Sequence, residues 1–351
     1  MELNPNEISL SRENTEEEVK HFLSIGFLSK GEAFLSEVME NRVDKSLRII
    51  FLTVFLFLFS CSSEQYYFRR GVVYFNQGRY DQAISDFTKT LEINPKFGIA
   101  YYNRGTVYWA KNEYDNAISD FNKALEIDPR DPDAYVRRGG VYADKGQPDR
   151  AILDFNRALE IQPKSVEAYV NRGVAYAKKG QPDRAILDFN RAVEMDPKQA
   201  GAFNYRGSAY DDKGLYDQAI PDFNKALELD PKLVEAYVNR GVAYAKKGQP
   251  DRAILDFNMA LEIDPKGADA YCNRGSAYTE KGRYDQAISD LNKALEISPN
   301  FGMAYYRRGR VYYLKGEYNK SWSDIKKAQD LGHEIPAEFL EDLRKASGRQ
   351  N

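Results

Sequence analysis

The residue types that most often do chemistry are scarce in this chain, and they do not cluster. Histidine occurs only as His21 and His333, and cysteine only as Cys61 and Cys272. A structural zinc site gathers about four Cys, His or carboxylate ligands, and no such set stands at short spacing. Triad or general acid–base catalysis is equally ill supplied, because either imidazole would have to act alone. The expectation is a non-enzyme with no metal, no other cofactor and no small-molecule substrate. A net charge of -3 also removes the basic face with which a nucleic-acid binder collects phosphates. What does recur is one arginine and one aspartate. Arg70, Arg104 and Arg138, with equivalents through Arg308, are matched by Asp86, Asp120 and Asp154, with equivalents through Asp324. Two readings are open for them: a basic ladder for a ligand, or ion pairs internal to the fold.

The elements that position these charges follow from a strict internal period. Gly71, Gly105, Gly139, Gly173, Gly207, Gly241, Gly275 and Gly309 mark eight evenly spaced copies without insertion or deletion. Before each glycine, one helical turn back, stands an aromatic (Tyr67 through Tyr305), and one turn after it a tyrosine (Tyr74 through Tyr312). Ala83, Phe87 and Pro95, with their equivalents, follow in the same order in each copy, apart from late departures in the last two. Aromatic, Gly and Tyr at spacings of four and three make one stripe on a first helix. The glycine admits a neighbouring helix and the rings fill the space beside it. A glycine-bearing turn ends that helix, and Pro148, Pro182 and Pro250 fit the first turn of the next, where a missing N–H costs nothing. The second helix, "DRAILDFNRALEI", carries its own apolar stripe and stops before "DP" or "QP". Each copy is an antiparallel helix pair that cannot bury its apolar face alone, so neighbours must stack. In such a hairpin the arginine and the aspartate lie about equally far from the turn, and hence side by side. The internal ion pair is the favoured reading, at about 0–1 kcal/mol if exposed.

This pattern resembles the tetratricopeptide repeat, with its period of roughly 34 residues. The Gly-Tyr-Ala-Phe-Pro signature of that family is matched over residues 64–335. Two departures recur: Tyr stands for the leading Trp, and Arg for the Leu before the glycine. The resemblance implies an all-α fold, a right-handed superhelical solenoid of stacked antiparallel helix pairs. A C-terminal capping helix is expected over 336–349, on the stripe Phe339, Leu340 and Leu343. Repeat eight is degraded, with Ser321, Trp322, Ile325 and His333 in place of the usual residues, which reads as end packing. In repeat five, Pro221 falls inside the second helix, predicting a kink or weak point, and Asp211 and Asp212 are expected to be exposed. Residues 166–198 and 234–266 differ only at Arg191/Met259, Val193/Leu261 and Met195/Ile263. Identity between these blocks records common origin as readily as physical need.

The resemblance further implies that the first helices line a concave surface that binds protein or peptide partners. Two places before the glycines stand Asn103, Asn171, Asn239 and Asn273, and elsewhere Arg69, Arg137, Arg307 and Tyr205. An asparagine both donates and accepts, so a ladder of them can hold an extended backbone without reading its sequence. Around that ladder the candidate groove residues are Phe68, Tyr102 and Trp109 at one end, and Tyr306 and Arg310 at the other. The Lys and Asn of the family's carboxylate clamp are missing, so capture of chaperone C-termini is not expected. Cys272 reads as a small buried thiol.

Residues 48–67, "RIIFLTVFLFLFSCSSEQYY", pose a separate question. The apolar run from Ile49 to Phe59 is about half as long as the roughly 20 residues that a membrane-crossing helix needs. It follows Lys45 and Arg48 and ends in Leu58-Phe59-Ser60-Cys61, a sequence similar to a bacterial lipoprotein signal. That resemblance implies cleavage before Cys61, acylation of its thiol and attachment to a membrane. Ser62 is similar to the residue that sends such proteins to the periplasmic face of the outer membrane. The expected organisation is an extension over 1–48, with the true start at Met39, a signal core over 49–60 and a lipidated tether over 61–63. Eight repeats over 64–335 and the cap follow. Two alternatives stand beside it: a cytoplasmic or inner-membrane-anchored scaffold that keeps residues 1–60, and burial of the apolar run against repeat one. The functional expectation is a cell-envelope scaffold, similar to tetratricopeptide lipoproteins that assist pilus secretins, outer-membrane assembly or peptidoglycan hydrolases.

Overall fold

A computed structural model describes residues 63–348, and every regular element among them is an α-helix. The extension, the apolar run and Cys61 lie outside the described residues. Helices α1 (63–76) and α2 (Tyr80–Ile93) form the first pair. The second is α3 (Gly98–Ala110) with α4 (Tyr114–Ile127), and the third α5 (Pro132–Asp144) with α6 (Pro148–Ile161). These six helices make one compact body, which ends at Pro163. A second body begins at Lys164 and holds the remaining five pairs. They are α7 (Val166–Lys178) with α8 (Pro182–Met195), α9 (Ala200–Asp212) with α10 (Tyr216–Leu229), and α11 (Val234–Lys246) with α12 (Pro250–Ile263). Then come α13 (Ala268–Glu280) with α14 (Tyr284–Ile297), α15 (Gly302–Leu314) with α16 (Tyr318–Asp330), and the single helix α17 (Ala337–Ser347). The expected antiparallel pairs and the C-terminal helix are therefore present, and within each body every pair packs on the next.

Each pair closes on one residue. Phe87, Phe121, Phe155, Phe189, Phe223 and Phe257, then Leu291 and Ile325, are fully buried. Such burial is worth about 1.5–3 kcal/mol apiece. The phenylalanine rings lie close against the glycine of the first helix: a Cβ added to Gly173 would stand 2.6 Å from the edge of Phe189. The turn between the helices needs a left-handed residue, such as Gly180 at φ 67°. In repeat two Asn112 takes that conformation at φ 59°, asparagine being the side chain that tolerates it best. Pro148, Pro182 and Pro250 open their helices as expected.

The recurring charges are ion pairs. Arg172 Nε donates to Asp188 Oδ2 at 2.8 Å, and its Nη2 donates to Oδ1 at 2.7 Å. A salt bridge joins the same two positions in all eight repeats. The aspartates are buried, so the two-point guanidinium contact satisfies a carboxylate that water scarcely reaches. Hydrogen bonding to Asp188 raises the Arg172 pKa still further above its ordinary value, against the opposing effect of burial. The third arginine nitrogen often bonds the preceding repeat: Arg138 Nη1 donates to Asn122 Oδ1 at 2.6 Å, and Arg240 Nη1 to Asn224 Oδ1 at 2.7 Å. The arginine also lies near the aromatic one turn before it, with Arg138 Cζ 5.5 Å from the Tyr135 ring centroid. These guanidiniums are consumed by the fold, and the ligand-ladder reading is set aside.

A second tie between repeats was not foreseen from the sequence. The lysine that caps a first helix pairs with the aspartate in the first turn of the preceding second helix. Examples are Lys145 with Asp115, Lys247 with Asp217, and Lys315 with Asp285 at 2.6 Å. Their constant separation of 30 residues was the available signal. Those aspartates also face the helix dipole favourably.

Repeat five keeps its second helix through the proline. Helix α10 runs unbroken over 14 residues with Pro221 inside it, the same length as α8 and α12. Pro221 faces solvent, so the ring displaces no packed side chain, and the loss is one backbone N–H bond plus local crowding. Changing Pro221→Ser, the residue found at this place in repeats one, two, seven and eight, should raise stability by about 1–3 kcal/mol in denaturant titration. Hydrogen exchange of the α10 amides should slow with it. For the ion pairs, a double-mutant cycle on Arg172→Met and Asp188→Asn should return a coupling of about 1–3 kcal/mol, between the exposed and fully buried limits.

Candidate partner-binding face

The first helix of each pair carries the candidate residues, and the two bodies place them differently. In the first body Phe68 is buried, 5.8 Å from Phe87 and 5.1 Å from Phe97 between ring centroids. It is a core residue, because the position one turn before the glycine faces the second helix of its own pair. Tyr102 packs likewise on Phe121 at 5.8 Å, and its hydroxyl accepts from Arg137 Nε at 3.1 Å. Asn103 is buried and donates to the Ile99 carbonyl at 2.8 Å, one turn back on its own helix. It offers no ladder amide, which corrects the expectation. Arg69 is exposed.

Trp109 bridges two repeats rather than standing open. Its indole Nε1 donates to Asp144 Oδ2 at 2.8 Å. The ring lies over Gly140, where an added Cβ would come 2.5 Å from it. The sequence carries a signal for this contact. Gly140 is the only glycine directly after a repeat glycine, and it follows the only tryptophan four places after one.

In the second body Asn239 donates from Nδ2 to Asn204 Oδ1 at 3.1 Å and to Ser208 Oγ at 3.2 Å. Asn273 Oδ1 accepts from Arg307 Nη1 at 2.8 Å, and the same nitrogen reaches the Cys272 carbonyl at 3.1 Å. Cys272 is buried as expected, and burial raises its thiol pKa, with Arg307 opposing. Asn171 is half-buried, and among the described residues no hydrogen bond engages its amide. Asp211 is not exposed. Its side chain is 13% accessible, Oδ2 accepts from Lys246 Nζ at 2.5 Å, and Oδ1 is buried without a partner among the described residues. Asn204, Ser208 and Asp211 thus form a polar stripe on α9, facing Asn239 and Lys246 of α11.

The C-terminal end of the expected groove is covered. Tyr306 packs on His333 at 5.2 Å and on Phe339 of α17 at 5.8 Å, while Tyr313 meets Phe339 at 5.4 Å. Phe339 of the cap covers both rings, so Tyr306 is a packing residue. Arg310 remains exposed, 5.9 Å from the Tyr306 ring centroid. Trp322 Nε1 donates to Ser347 Oγ at 3.0 Å, the end packing anticipated for it. Among the described residues no group of three His, Cys, Asp or Glu side chains could hold a metal, and no helix is long and apolar enough to cross a membrane.

Four family models match the chain, each described as a tetratricopeptide or TPR repeat. One matches 166–199, 234–266 and 268–301, another 68–132, a third 139–180 and 207–248, and the fourth 121–152. No curated protein matches. Among solved structures, a tetratricopeptide repeat protein from Parabacteroides merdae is 22% identical with a TM-score of 0.58. That match covers 72% of this chain and 99% of the other. The APC/C hetero-tetramer Cut9–Hcn1 gives 20% identity and a TM-score of 0.62, covering 80% of this chain and 55% of that one. Pseudomonas aeruginosa pilF gives 17% and 0.53, covering 62% and 97%. At these identities the likeness is one of fold.

The Trp109–Gly140 contact makes a specific demand. Gly140→Ser should displace the indole, break its bond to Asp144 and cost about 1–3 kcal/mol in thermal or denaturant unfolding. Adding Trp109→Ala should restore much of that loss, because Ala with Ser is the combination at the matching places of repeats four and five (Ala177, Ser208) and of six and seven (Ala245, Ser276).

Proposed function

This chain carries tetratricopeptide repeats, and from that premise we propose that it is a non-enzymatic scaffold. It binds partner polypeptides on the first-helix faces of its repeats and is held at a membrane through acylated Cys61. The observation that carries the binding role is the division of labour in each pair. The second helix and the Arg–Asp pair hold the stack, while the first helix leaves a face with half-buried polar groups. Asn171 supplies an amide not committed to internal bonds, between the half-buried Val174 and the buried Val170. Arg69 and Arg310 supply exposed guanidiniums on first helices. A peptide backbone would use the first, and carboxylates or carbonyls of a partner the second.

The membrane reading rests on the sequence alone: Leu58-Phe59-Ser60-Cys61 after a charged start and a short apolar run. Because residue 63 is already helical, an acyl group on Cys61 would leave almost no tether before repeat one. The favoured site is the periplasmic face of an outer membrane. Two or more acyl chains at Cys61 would hold the chain firmly, each buried CH₂ adding about 0.8 kcal/mol.

One experiment addresses both halves. Cells fed a radiolabelled fatty acid should label the wild-type chain and lose the label in Cys61→Ser, and affinity capture from the same cells should recover a partner set. Asn171→Ala combined with Arg310→Ala should deplete that set without lowering thermal stability. Absence of label in the wild type would move the protein to the cytoplasm or inner membrane with residues 1–60 retained. An unchanged partner set in the double variant would remove these first-helix faces as the binding surface.

A further inference from the structure

We propose that the outer face of α12 is a self-association surface, seating antiparallel on α12 of a second copy of this chain. One outward position, two places after the buried Phe, Leu or Ile of each second helix, carries a cation in seven of the eight repeats. These are Lys89, Lys123, Arg157, Arg191, Lys225, Lys293 and Lys327, and only repeat six differs, with Met259. Five of those cations pair with the glutamate one turn on, at 2.6–3.1 Å, closing the outer face of their helices with charge. Met259 cannot make that pair with Glu262. Leu255, Met259 and Ile263 stand on α12 at successive spacings of four and are 64%, 41% and 36% exposed. They form one apolar ridge on a single helix face.

The near-copy α8 sharpens the observation. Between 166–198 and 234–266 only three positions differ, and one of them exchanges an exposed, ion-paired Arg191 for Met259. An exposed leucine alone does not define the face, since Leu153 and Leu187 are 64% and 66% exposed beside arginines.

The order of side chains selects a second copy as the occupant. Arg252, Leu255, Met259 and Glu262 are separated by three, four and three places, a spacing that reads the same in both directions. An inverted copy therefore brings Leu255 against Met259 and Arg252 against Glu262, each contact occurring twice about a two-fold axis. All four side chains are exposed on α12. On α8 the same superposition would set Leu187 against Arg191 and bury a charge, so that face is not self-complementary. A contact confined to one helix of each copy is small, below the roughly 1,200 Å² that marks the weak class of interfaces. The association is accordingly reversible and concentration-dependent, with a dissociation constant of about micromolar or weaker.

Sedimentation equilibrium of the full chain in density-matched detergent, over about a hundredfold range of concentration, tests this. The wild type should shift from monomer toward dimer, and Met259→Arg should weaken the dimer by about tenfold or more. Met259→Arg keeps the fold, since Arg191 occupies the same place in the near-copy. Arg252→Glu and Glu262→Arg should each weaken association, and the two together should restore it. Restoration separates the cross-copy contact from the loss of Arg252 near the Tyr244 ring, 5.5 Å from Cζ to the centroid. A chain that stays monomeric throughout, or a dimer indifferent to Met259→Arg, overturns the proposal.

Discussion

The close approach of each repeat glycine to the buried Phe, Leu or Ile of the second helix sets the spacing of the helix pair, and the other contacts depend on that spacing. With an added Cβ only 2.6 Å from Phe189, the Gly173 contact leaves no space for a methyl group. The ring is therefore a spacer of fixed thickness between the two helices. At that distance the arginine beside the glycine and the aspartate beside the phenylalanine meet at two points. A wider pair would strand a buried carboxylate, at a cost of roughly 3–5 kcal/mol. The ion pair thus follows from the packing and reinforces it, because only one helix spacing satisfies both.

The same geometry decides what is left for recognition. Polar groups at the ladder positions are largely drawn into the protein: Asn103 bonds its own helix, Asn239 bonds α9, and Asn273 accepts from Arg307. Bonds of this kind hold a side chain in one rotamer and reduce what it can offer a ligand without first being broken. Asn239 is drawn in because it faces Asn204 and Ser208 of α9, which stand where repeat four has Val170 and Val174. Local replacement of Val by Asn204 and Ser208 thus changes the availability of a residue in the next repeat. Repeats with the same ladder residue are not equivalent sites.

The pairs, their order, the turn glycines and the terminal helix were legible from the repeat period, because each follows from local spacing. The Arg–Asp pairing was legible for the same reason, as both residues lie equally far from one turn. Side chains near the boundary between a groove and a core were not. Phe68 and Tyr306 occupy the same place in their repeats, yet one is covered by its own second helix and Phe97, the other by α17. Which of those happens depends on what stacks above, and periodicity within a repeat does not encode it. Trp109 with Gly140 and the lysine–aspartate ties show that the missing information lay between repeats, at separations just short of one full period.

The two near-copies show which positions the stack constrains. Their interiors are alike: Phe189 and Phe257 are buried equally, and Val193 and Leu261 differ by one methylene at the same low exposure. Stability of such arrays is a sum of within-repeat and nearest-neighbour contributions, so an outward-facing change leaves both nearly untouched. Arg191 and Met259 are such a change, since neither side chain takes part in holding one repeat to the next. The face that contributes least to folding is therefore the one on which a repeat can acquire a chemical character of its own. An ion pair there is worth only about 0.2–0.5 kcal/mol, so exchanging it for an apolar ridge costs the fold little while altering what the surface can meet.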